Sequence, residues 1–598
     1  MDIEIDNLTV ILLLLLATLA IYHRFFSTPQ PLVHPLLLGK QSDISTVRKS
    51  GETGIYRSWA TGQGAPLTVR PANSVKVVSD IVTGPKITDP KKERYILDVP
   101  ITDEGLTEIT RLIPIGLSLL FPSTEITSTV ILLPPSPSTS LPLLLLSIAS
   151  TANRPVVILP SPRLLSSAIS EQVQNGHPAA GVVVIHVALL EGVLEQLYEN
   201  KSSAGVLVIG DPEKSSDGLI DLAKNKGINV RYWEEIWEVA ESPAAENCKP
   251  KQNVYSDVHS YYYSTQNNQT VTTKVTHINV TAGIASLLSL FPADKRPSAA
   301  LHDTVASAVP LTTPLGMTIA LSTVWTGASF RLIGNHEPTW DPEEVDHAAE
   351  LEVLADKEKG LPKPTILFIS PKHHHALLNR LQYTYTSHPF ASLAARHKGH
   401  SIRAGHIDRD SLWDRVLWSG MRENVLGGIA GQRLRGVILV GDAPPPDALA
   451  SSHLLLSLPL TRLHPSAYST GPVFVTHFYD LQSPGVGHLL KEVDMWDTSA
   501  GTATGHHGVN GKEKVHSGPP ASNVEVLLRG DHVNAAYEDE GEDARAIHGQ
   551  IWIRGPSVLE MVDIKGKNED GWVDIGEQAK VQTNGTFIID HPQIKVNA

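Results

Sequence analysis

Residues 436–444, GVILVGDAP, predict a short buried β-strand that ends in a glycine turn. Similar short runs, rich in valine and isoleucine, recur along the chain, and most of them precede a longer stretch of helical periodicity. These runs occupy residues 128–133, 155–159, 181–186, 205–210 and 365–370. Strands that alternate with helices predict an α/β fold of parallel sheets with helices on both faces.

The pattern of apolar and turn residues changes after about residue 520. Closely spaced strand patterns, separated by turn residues, occupy residues 523–528, 549–555, 571–576 and 585–590. They predict a smaller, mostly antiparallel β unit near the end of the chain. Residues 492–516, rich in Gly, Thr, His and Lys, predict a loop or insertion.

Composition excludes several classes of protein. The 598 residues are 41% hydrophobic and 19% charged, which is typical of a large folded body with several subdomains. A mean hydropathy of −0.06 argues against a multispanning membrane protein. The net charge of −14, without a Lys/Arg cluster, argues against nucleic acid as a partner. The single cysteine, Cys248, excludes an intramolecular disulfide framework and a cysteine-based zinc cluster.

The N-terminus carries an apolar run at residues 8–22, LTVILLLLLATLAIY. As a helix it spans about 22 Å, and with residues 23–26, including a snorkelling Arg24, it suffices for a thin membrane such as the endoplasmic reticulum. A cleaved signal peptide is the alternative, but the preceding MDIEIDN is acidic where a signal peptide is basic. We therefore expect a single-pass anchor at residues 1–28, with the body in the cytoplasm.

Ordered landmarks in the rest of the chain carry a family resemblance. They are residues 34–43 (HPLLLGKQSD), 51–57 (GETGIYR), 276–279 (THIN), 363–371 (KPTILFISP), 441–444 (GDAP), 517–520 (SGPP), 523–525 (NVE), 549–556 (GQIWIRGP), 571–572 (GW) and 588–590 (IID). In these segments and in their order, the chain resembles the fungal long-chain acyl-CoA synthetases, which belong to the AMP-binding, adenylate-forming enzymes.

The resemblance implies an adenylate-forming large domain over residues 29–598, with two parallel-sheet α/β subdomains and a small β unit. It also implies a remnant nucleotide site. Its residues would be Ser264, Thr265, Asn267, Asn268, Gly441, Asp442, Ala443, Pro444, Tyr479 and Asp574. Membrane lipid is the expected partner, and a long-chain fatty acid or an active homologous synthetase is a further candidate.

The phosphate loop of the family departs most from its pattern. The family's Thr-Ser-Gly-Thr-Thr-Gly-x-Pro-Lys-Gly falls on residues 263–272, YSTQNNQTVT, where only Ser264 agrees. Thr265, Asn268 and Thr272 replace the glycines that let backbone amides approach phosphate, and Val271 replaces the lysine. Ser, Thr and Asn can still offer hydroxyls and amides to an anion, so altered binding stays open.

Other positions that the family uses for catalysis also differ. Thr313 stands where the family has a histidine, and the glutamate that helps hold Mg²⁺ falls on Gln482 or Ser483, depending on the register. Asp574, the candidate ribose ligand, follows a segment shortened by three residues, and His591 replaces an arginine. The family continues into a small lid domain, which we expect this chain to lack after Ala598.

These losses predict a scaffold without a catalytic residue or a metal site, and without a required cofactor. The function expected from them is a membrane-anchored, non-catalytic lipid-binding or regulatory relative of the synthetases. The alternative is an active long-chain fatty acid–CoA ligase that uses ATP, Mg²⁺ and CoA through altered contacts.

Two histidine and charge clusters have plainer interpretations. His373, His374 and His375 point about 100° apart on a helix and cannot converge on one ion without ligands from elsewhere, so a solvated helix start is expected. The charged run at residues 341–359 predicts a solvated surface helix.

Overall fold

The structure is a computed structural model of the chain. It describes residues 6–25, 30–83, 91–123, 125–170, 176–200, 202–210, 217–248, 250–266, 269–334, 346–354, 360–386, 388–407, 409–427, 429–430, 433–482, 515–530, 533, 547–562 and 568–590. Within this part of the chain, strands β1–β23 and helices α1–α15 are numbered in sequence order.

Two large sheets form the body. Sheet I has the order β20-β11-β10-β6-β5-β7-β8-β9, and sheet II has the order β17-β16-β15-β14-β12-β13-β3-β4. The strands of sheet I are β5 (Ser128–Leu132), β6 (Val156–Ile158), β7 (Ala180–His186), β8 (Gly205–Ile209), β9 (Val230–Tyr232), β10 (Val258–Gln266), β11 (Gln269–Thr276) and β20 (Glu560–Met561). The strands of sheet II are β3 (Glu93–Ile96), β4 (Val99–Thr102), β12 (Thr304–Ser307), β13 (Ser329–Leu332), β14 (Ile366–Ile369), β15 (Gly436–Val440), β16 (Leu460–His464) and β17 (Phe474–Val475). The inner strands of both sheets run parallel.

A third, entirely antiparallel sheet, sheet III, has the order β1-β2-β18-β19-β22-β21, with β23 paired to β22. Its strands are β1 (Ser42–Ile44), β2 (Tyr56–Ser58), β18 (Glu525–Arg529), β19 (His548–Arg554), β21 (Asn568–Glu569), β22 (Trp572–Val581) and β23 (Phe587–Asp590). The predicted small β unit is therefore confirmed. Its first two strands come from the N-terminal part of the chain, which the sequence did not indicate.

The helices cover the sheets. They are α1 (Asn7–Phe25), α2 (Pro35–Gly39), α3 (Asp103–Leu120), α4 (Pro137–Ile148), α5 (Leu165–Ile169), α6 (Leu190–Glu199), α7 (Asp217–Asn225), α8 (Glu235–Ala240), α9 (His277–Ser289), α10 (Pro314–Thr326), α11 (His347–Val353), α12 (Pro371–Thr386), α13 (Ala391–Arg403), α14 (Ser419–Leu426) and α15 (Pro446–Leu456).

The main core lies between sheets I and II. One cluster of buried side chains joins Val182 of sheet I and Ile438 of sheet II through apolar residues of α9 and α10. Every residue of α10 is buried, as expected of a helix that is apolar on all sides. Burial on both faces also explains why the inner strands are continuous apolar runs instead of alternating ones.

The landmark at residues 276–279 is a helix cap. The Thr276 hydroxyl accepts a hydrogen bond from the Asn279 amide at 3.4 Å, and Asn279 Oδ1 accepts one from the Thr276 amide at 2.8 Å. This reciprocal capping box begins α9 directly after β11. The start of α9 is therefore set by local hydrogen bonding.

The apolar N-terminal run forms α1, whose large apolar side chains from Leu8 to Tyr22 are between 42% and 71% exposed. Among the described residues, none of the helices combines the length and the apolarity needed to cross a membrane. The transmembrane part of the predicted fold thus gains no support from the structure.

Candidate functional site

The carboxyl ends of β12, β14, β15 and β16 meet at one edge of sheet II, where open α/β sheets commonly bind their ligands. Gly441 follows β15 with a φ of +115°, a region that favours glycine. Its amide donates to the Leu463 carbonyl at 3.0 Å, which ties the turn to β16. Pro371, the first residue of α12, lies 3.6 Å from where a Cβ of Gly441 would sit.

The turn itself offers contacts to a ligand. Asp442 and Ala443 are exposed, whereas Pro444 is buried at the approach to α15. The structure therefore presents the turn from Gly441 to Pro444, which the sequence predicts as part of a remnant nucleotide site, at the carboxyl edge of sheet II.

Asp574 also reaches this edge, although it belongs to sheet III. Tyr468 follows β16, and the pKa of its phenol is raised, mainly by burial and to a smaller extent by the negative charge of Asp574. Asp574 therefore lies close enough to Tyr468 to act on it electrostatically. His464 Nε2, at the end of β16, lies 2.7 Å from Glu577 Oε2 on the same strand as Asp574. Asp574 Oδ1 accepts from the Gly576 amide at 2.8 Å, which orients the carboxylate.

Tyr479 lies elsewhere. β17 runs antiparallel to β16 and returns the chain to the opposite end of sheet II. There the Phe478 ring lies 3.8 Å from where a Cβ of Gly436, the first residue of β15, would sit, and Tyr479 contacts Phe478 edge-on at 5.1 Å between centroids. The structure does not bring Tyr479 together with the Gly441 turn.

Tyr468 lies at that edge, and sequence reasoning missed it. The available signal was its position four residues beyond the parallel strand 460–464, where the chain is still at the carboxyl edge. Gln482 exchanges hydrogen bonds with the backbone of His516, at 3.0 and 3.2 Å, and Ser483 lies outside the described residues.

The stretch that aligns with the family's phosphate loop is a regular antiparallel hairpin. β10 and β11 pair Tyr263 with Thr272, Ser264 with Val271, and Thr265 with Thr270. The Ser264 hydroxyl donates to the Val271 carbonyl at 3.4 Å. Asn267 and Asn268 lie outside the described residues, as does the side chain of Thr265.

Val271, which aligns with the family's lysine, is a core residue. Its side chain is 2% exposed and belongs to the same apolar cluster as Phe474 and Val526. Thr272, in place of the last glycine, is 1% exposed, and its carbonyl accepts from the Val562 amide at 3.0 Å. The one lysine of this hairpin, Lys274, pairs with Glu560 of β20 at 2.9 Å.

Comparison with solved structures identifies the architecture. The anthranilate–CoA ligase AuaEII, solved with anthranoyl-AMP, aligns at a TM-score of 0.55 and 13% identity over 87% of this chain and 78% of its own. A benzoate–CoA ligase from Burkholderia xenovorans aligns at 0.51 and 15% identity over 86% and 79%. The adenylation domain of a carboxylic acid reductase from Segniliparus rugosus, solved with AMP, aligns at 0.54 and 15% identity over 82% and 67%.

The chain has the adenylate-forming fold. Neither a protein-family profile nor a curated protein matches it in sequence. At these identities the likeness shows the fold alone, so the adenylate-forming α/β part of the predicted fold is confirmed, while the long-chain specificity stays a prediction.

Within this fold, Thr313 serves as a helix cap. Its hydroxyl accepts from the Gly316 amide at 3.1 Å and donates to the Pro310 carbonyl at 2.8 Å, so it begins α10. The hydroxyl at the position of the family's histidine is therefore used in local structure.

The three consecutive histidines do not form a solvated helix start, so that expectation was wrong for two of them. His373 is 5% and His374 1% exposed, while His375 is half-buried. The expected divergence is confirmed: His373 Nε2 contacts Glu350 at 2.9 Å, whereas His374 Nε2 contacts the Ser452 hydroxyl at 2.6 Å. Burial lowers the pKa of His374 to about 3.

Glu350 comes from the predicted surface helix, of which the structure describes α11. Leu351 of α11 and Leu354, the residue that follows the helix, are buried, so one face of α11 belongs to the core and the helix is not solvated all round. Because α11 lies against α12, a carboxylate from one helix meets an imidazole from the other.

Proposed function

We propose that this chain is an acyl-CoA synthetase-like protein that binds an acyl ligand or a partner without forming an adenylate. The observation that carries the proposal is the burial of Val271 in the apolar core, at the position of the family's loop lysine. A triphosphate needs cations and free backbone amides close to its oxygens. In the described part of the hairpin, residues 258–266 and 269–276, the backbone is occupied by strand pairing and the lysine by Glu560.

Loss of such contacts has large consequences for catalysis. Removal of one preorganised electrostatic group commonly slows a reaction by about 100–1000-fold. Thr313, where the family has a histidine, is used as a helix cap, and neither Gln482 nor Ser483 carries the charge that helps to hold Mg²⁺. Several groups are therefore altered at once in the same reaction.

A cleft supports binding of an acyl ligand. It has a volume of about 620 Å³, within the range typical of small-molecule sites, and it lies at the end of α9 remote from Thr276. Leu288 and Ala285 of α9 provide apolar lining, and Arg70 and Arg296 provide cations that suit a carboxylate.

Membrane lipid is the second partner in this proposal, and the endoplasmic reticulum is the proposed location. The exposed apolar side chains of α1 would become buried on contact with a bilayer. Removal of residues 1–28 should shift the protein from the membrane pellet to the supernatant. An intact chain that stays in the supernatant would contradict the membrane association.

Pyrophosphate exchange tests the absence of adenylation. Purified full chain, incubated with Mg·ATP, labelled pyrophosphate and palmitate or oleate, should form no labelled ATP above a protein-free control. Calorimetry should give no Mg·ATP dissociation constant tighter than about 1 mM. Exchange dependent on the fatty acid would establish the alternative, an active long-chain fatty acid–CoA ligase that uses ATP, Mg²⁺ and CoA through other contacts.

The acyl ligand has a separate test. Displacement of a fluorescent fatty acid by palmitate should be saturable in the wild-type chain and weakened in Arg70→Ala and Arg296→Ala. The exposed Lys76, outside the cleft lining, gives the matched control Lys76→Ala, which should bind as the wild type does. Equal binding by all four proteins would exclude this cleft as the acyl site.

A further inference from the structure

A compact group of three metal-binding side chains lies where α11 meets α12. Glu350 Oε2 is 2.9 Å from His347 Nδ1 and 2.9 Å from His373 Nε2. The three side chains each offer one ligand atom, and these atoms lie within 4.8 Å of one another. Because His347 and Glu350 are on α11, they supply the ligands from elsewhere that His373 and its two neighbours in sequence could not supply themselves.

Local structure holds each ligand in place. Asp346 caps α11 by accepting from the amides of Ala348 and Ala349, at 2.9 and 3.2 Å, which places His347 and Glu350 one turn apart on one face. His373 lies in the first turn of α12, directly beyond β14, and its side chain is 6% exposed. His347 and Glu350 are 24% and 15% exposed, so an ion can enter from their side.

The second ring nitrogen of His373 has a partner of its own. His373 Nδ1 lies 2.6 Å from the Ser370 hydroxyl. When Nε2 binds an ion, Nδ1 carries the proton, and the Ser370 oxygen can accept it. Such an outer hydrogen bond fixes the tautomer and the ring plane of a metal-binding histidine.

The donor set decides the class of ion. Two imidazoles and one carboxylate suit borderline divalent ions, above all Zn²⁺, and three protein ligands leave a fourth position for water. Ligand atoms around a tetrahedral zinc lie about 3.4 Å apart at bond lengths of about 2.0–2.1 Å. Around such an ion the two contacts of 2.9 Å would open by about half an ångström, and the two imidazole nitrogens, which lie within 4.8 Å of each other, would adjust to the same separation of about 3.4 Å.

We propose that His347, Glu350 and His373 form a binding site for one Zn²⁺ ion between α11 and α12. The site adjoins the carboxyl edge of sheet II, since α12 begins at Pro371, which lies 3.6 Å from where a Cβ of Gly441 would sit. Without the ion, the Glu350 carboxylate holds the two imidazoles by hydrogen bonds. With it, the same three atoms turn towards the metal. The proposal is independent of whether the protein forms an adenylate.

Metal titration of the full chain tests the site. Calorimetry with Zn²⁺ should give one saturable ion per chain, and Co²⁺ should give the visible absorption of a tetrahedral site. His347→Ala and Glu350→Gln should each weaken Zn²⁺ binding by more than about 100-fold, because loss of an outer partner alone costs about 10–100-fold. Ser370→Ala should fall within that smaller range.

His375→Ala is the matched control, because this neighbour on α12 does not belong to the three-residue group. It should bind Zn²⁺ as the wild type does, and circular dichroism should show that each variant is folded. Absence of saturable binding in the folded wild type would overturn the proposal, as would binding that survives in both His347→Ala and Glu350→Gln. An equal loss in His375→Ala would assign the ion to the consecutive histidines instead.

Discussion

The sequence resemblance assigns the β10–β11 hairpin and the Gly441 turn to two parts of the family's nucleotide site, yet the two regions retain different features of it. The turn keeps a glycine at a φ of +115°, with Asp442 and Ala443 exposed beside it. The hairpin keeps its strand pairing and its helix cap, but buries Val271 and Thr272 in the interior. A strand-to-helix turn requires a particular backbone conformation. A hairpin accepts any residues that can pair in a β-ladder and pack against the surrounding side chains.

The largest expected effect concerns the lysine position. Val271→Lys would place an unpaired ammonium in an apolar core and should destabilise the protein by about 3–5 kcal/mol. Thr270→Lys, at the exposed neighbouring position, should stay within about 0.5 kcal/mol of the wild type. Urea unfolding measures both. If Val271→Lys kept wild-type stability and gained Mg·ATP binding, the hairpin would retain a phosphate site after all.

The second largest effect is expected from acid, which should destabilise the protein through two buried histidines, His259 on β10 and His277 at the start of α9. Burial, and next the charge of His277, lower the pKa of His259 on β10 to about 3, and burial lowers that of His277 to about 4. As the pH falls, the two histidines become protonated in the unfolded chain at a higher pH than in the folded protein. Their contribution to stability is therefore complete above about pH 6.5 and is lost as the pH falls towards the folded pKa values. Each histidine should cost about 1.4 kcal/mol per pH unit over that window.

Unfolding at pH 7.5 and 5.0 checks this slope. His259→Phe should flatten the dependence on pH, whatever it does to stability at pH 7.5. His400→Gln, on the exposed surface of α13, is the control and should leave the slope unchanged. An identical slope for all three proteins would mean that the buried pair does not govern acid stability.

The turn should show a smaller, backbone effect. Gly441→Ala forces a residue with a Cβ to adopt a φ of +115° and should cost about 1–3 kcal/mol, although the nearest atoms, at 3.6 Å, leave room for the methyl group. Gly436→Ala, at the other end of β15, has no positive φ and should cost less. Thermal unfolding compares the two, and an equal cost would remove the conformational argument for the turn.

The smallest effect is expected at Lys274. Its pair with Glu560 is partly exposed, so Lys274→Ala should cost less than about 1 kcal/mol. Glu560→Ala should cost the same, and the double variant little more. A change in nucleotide affinity without a change in stability would contradict the assignment of this lysine to the contact between β11 and β20.

Much of the fold could be predicted from local pattern. The apolar runs that predicted strands correspond to β5, β6, β7, β8, β14 and β15 within a few residues, because strands buried on both faces must be apolar throughout. The segment at residues 276–279 begins α9, because a capping box needs only two residues that are three positions apart in the sequence. The antiparallel pattern after residue 520 likewise followed from turn residues between short strands.

The sequence by itself therefore determined the α/β class, the inner strands and the start of α9, since apolar runs and a capping box depend on residues that are close along the chain. Only the tertiary structure decided which side chains meet. It placed Tyr468 and Asp574 together at the carboxyl edge of sheet II, left Tyr479 at the far end of that sheet, and joined His373 to Glu350 and His347. Contacts of this kind depend on the direction of a strand or the packing of two helices, and no spacing along the chain records either.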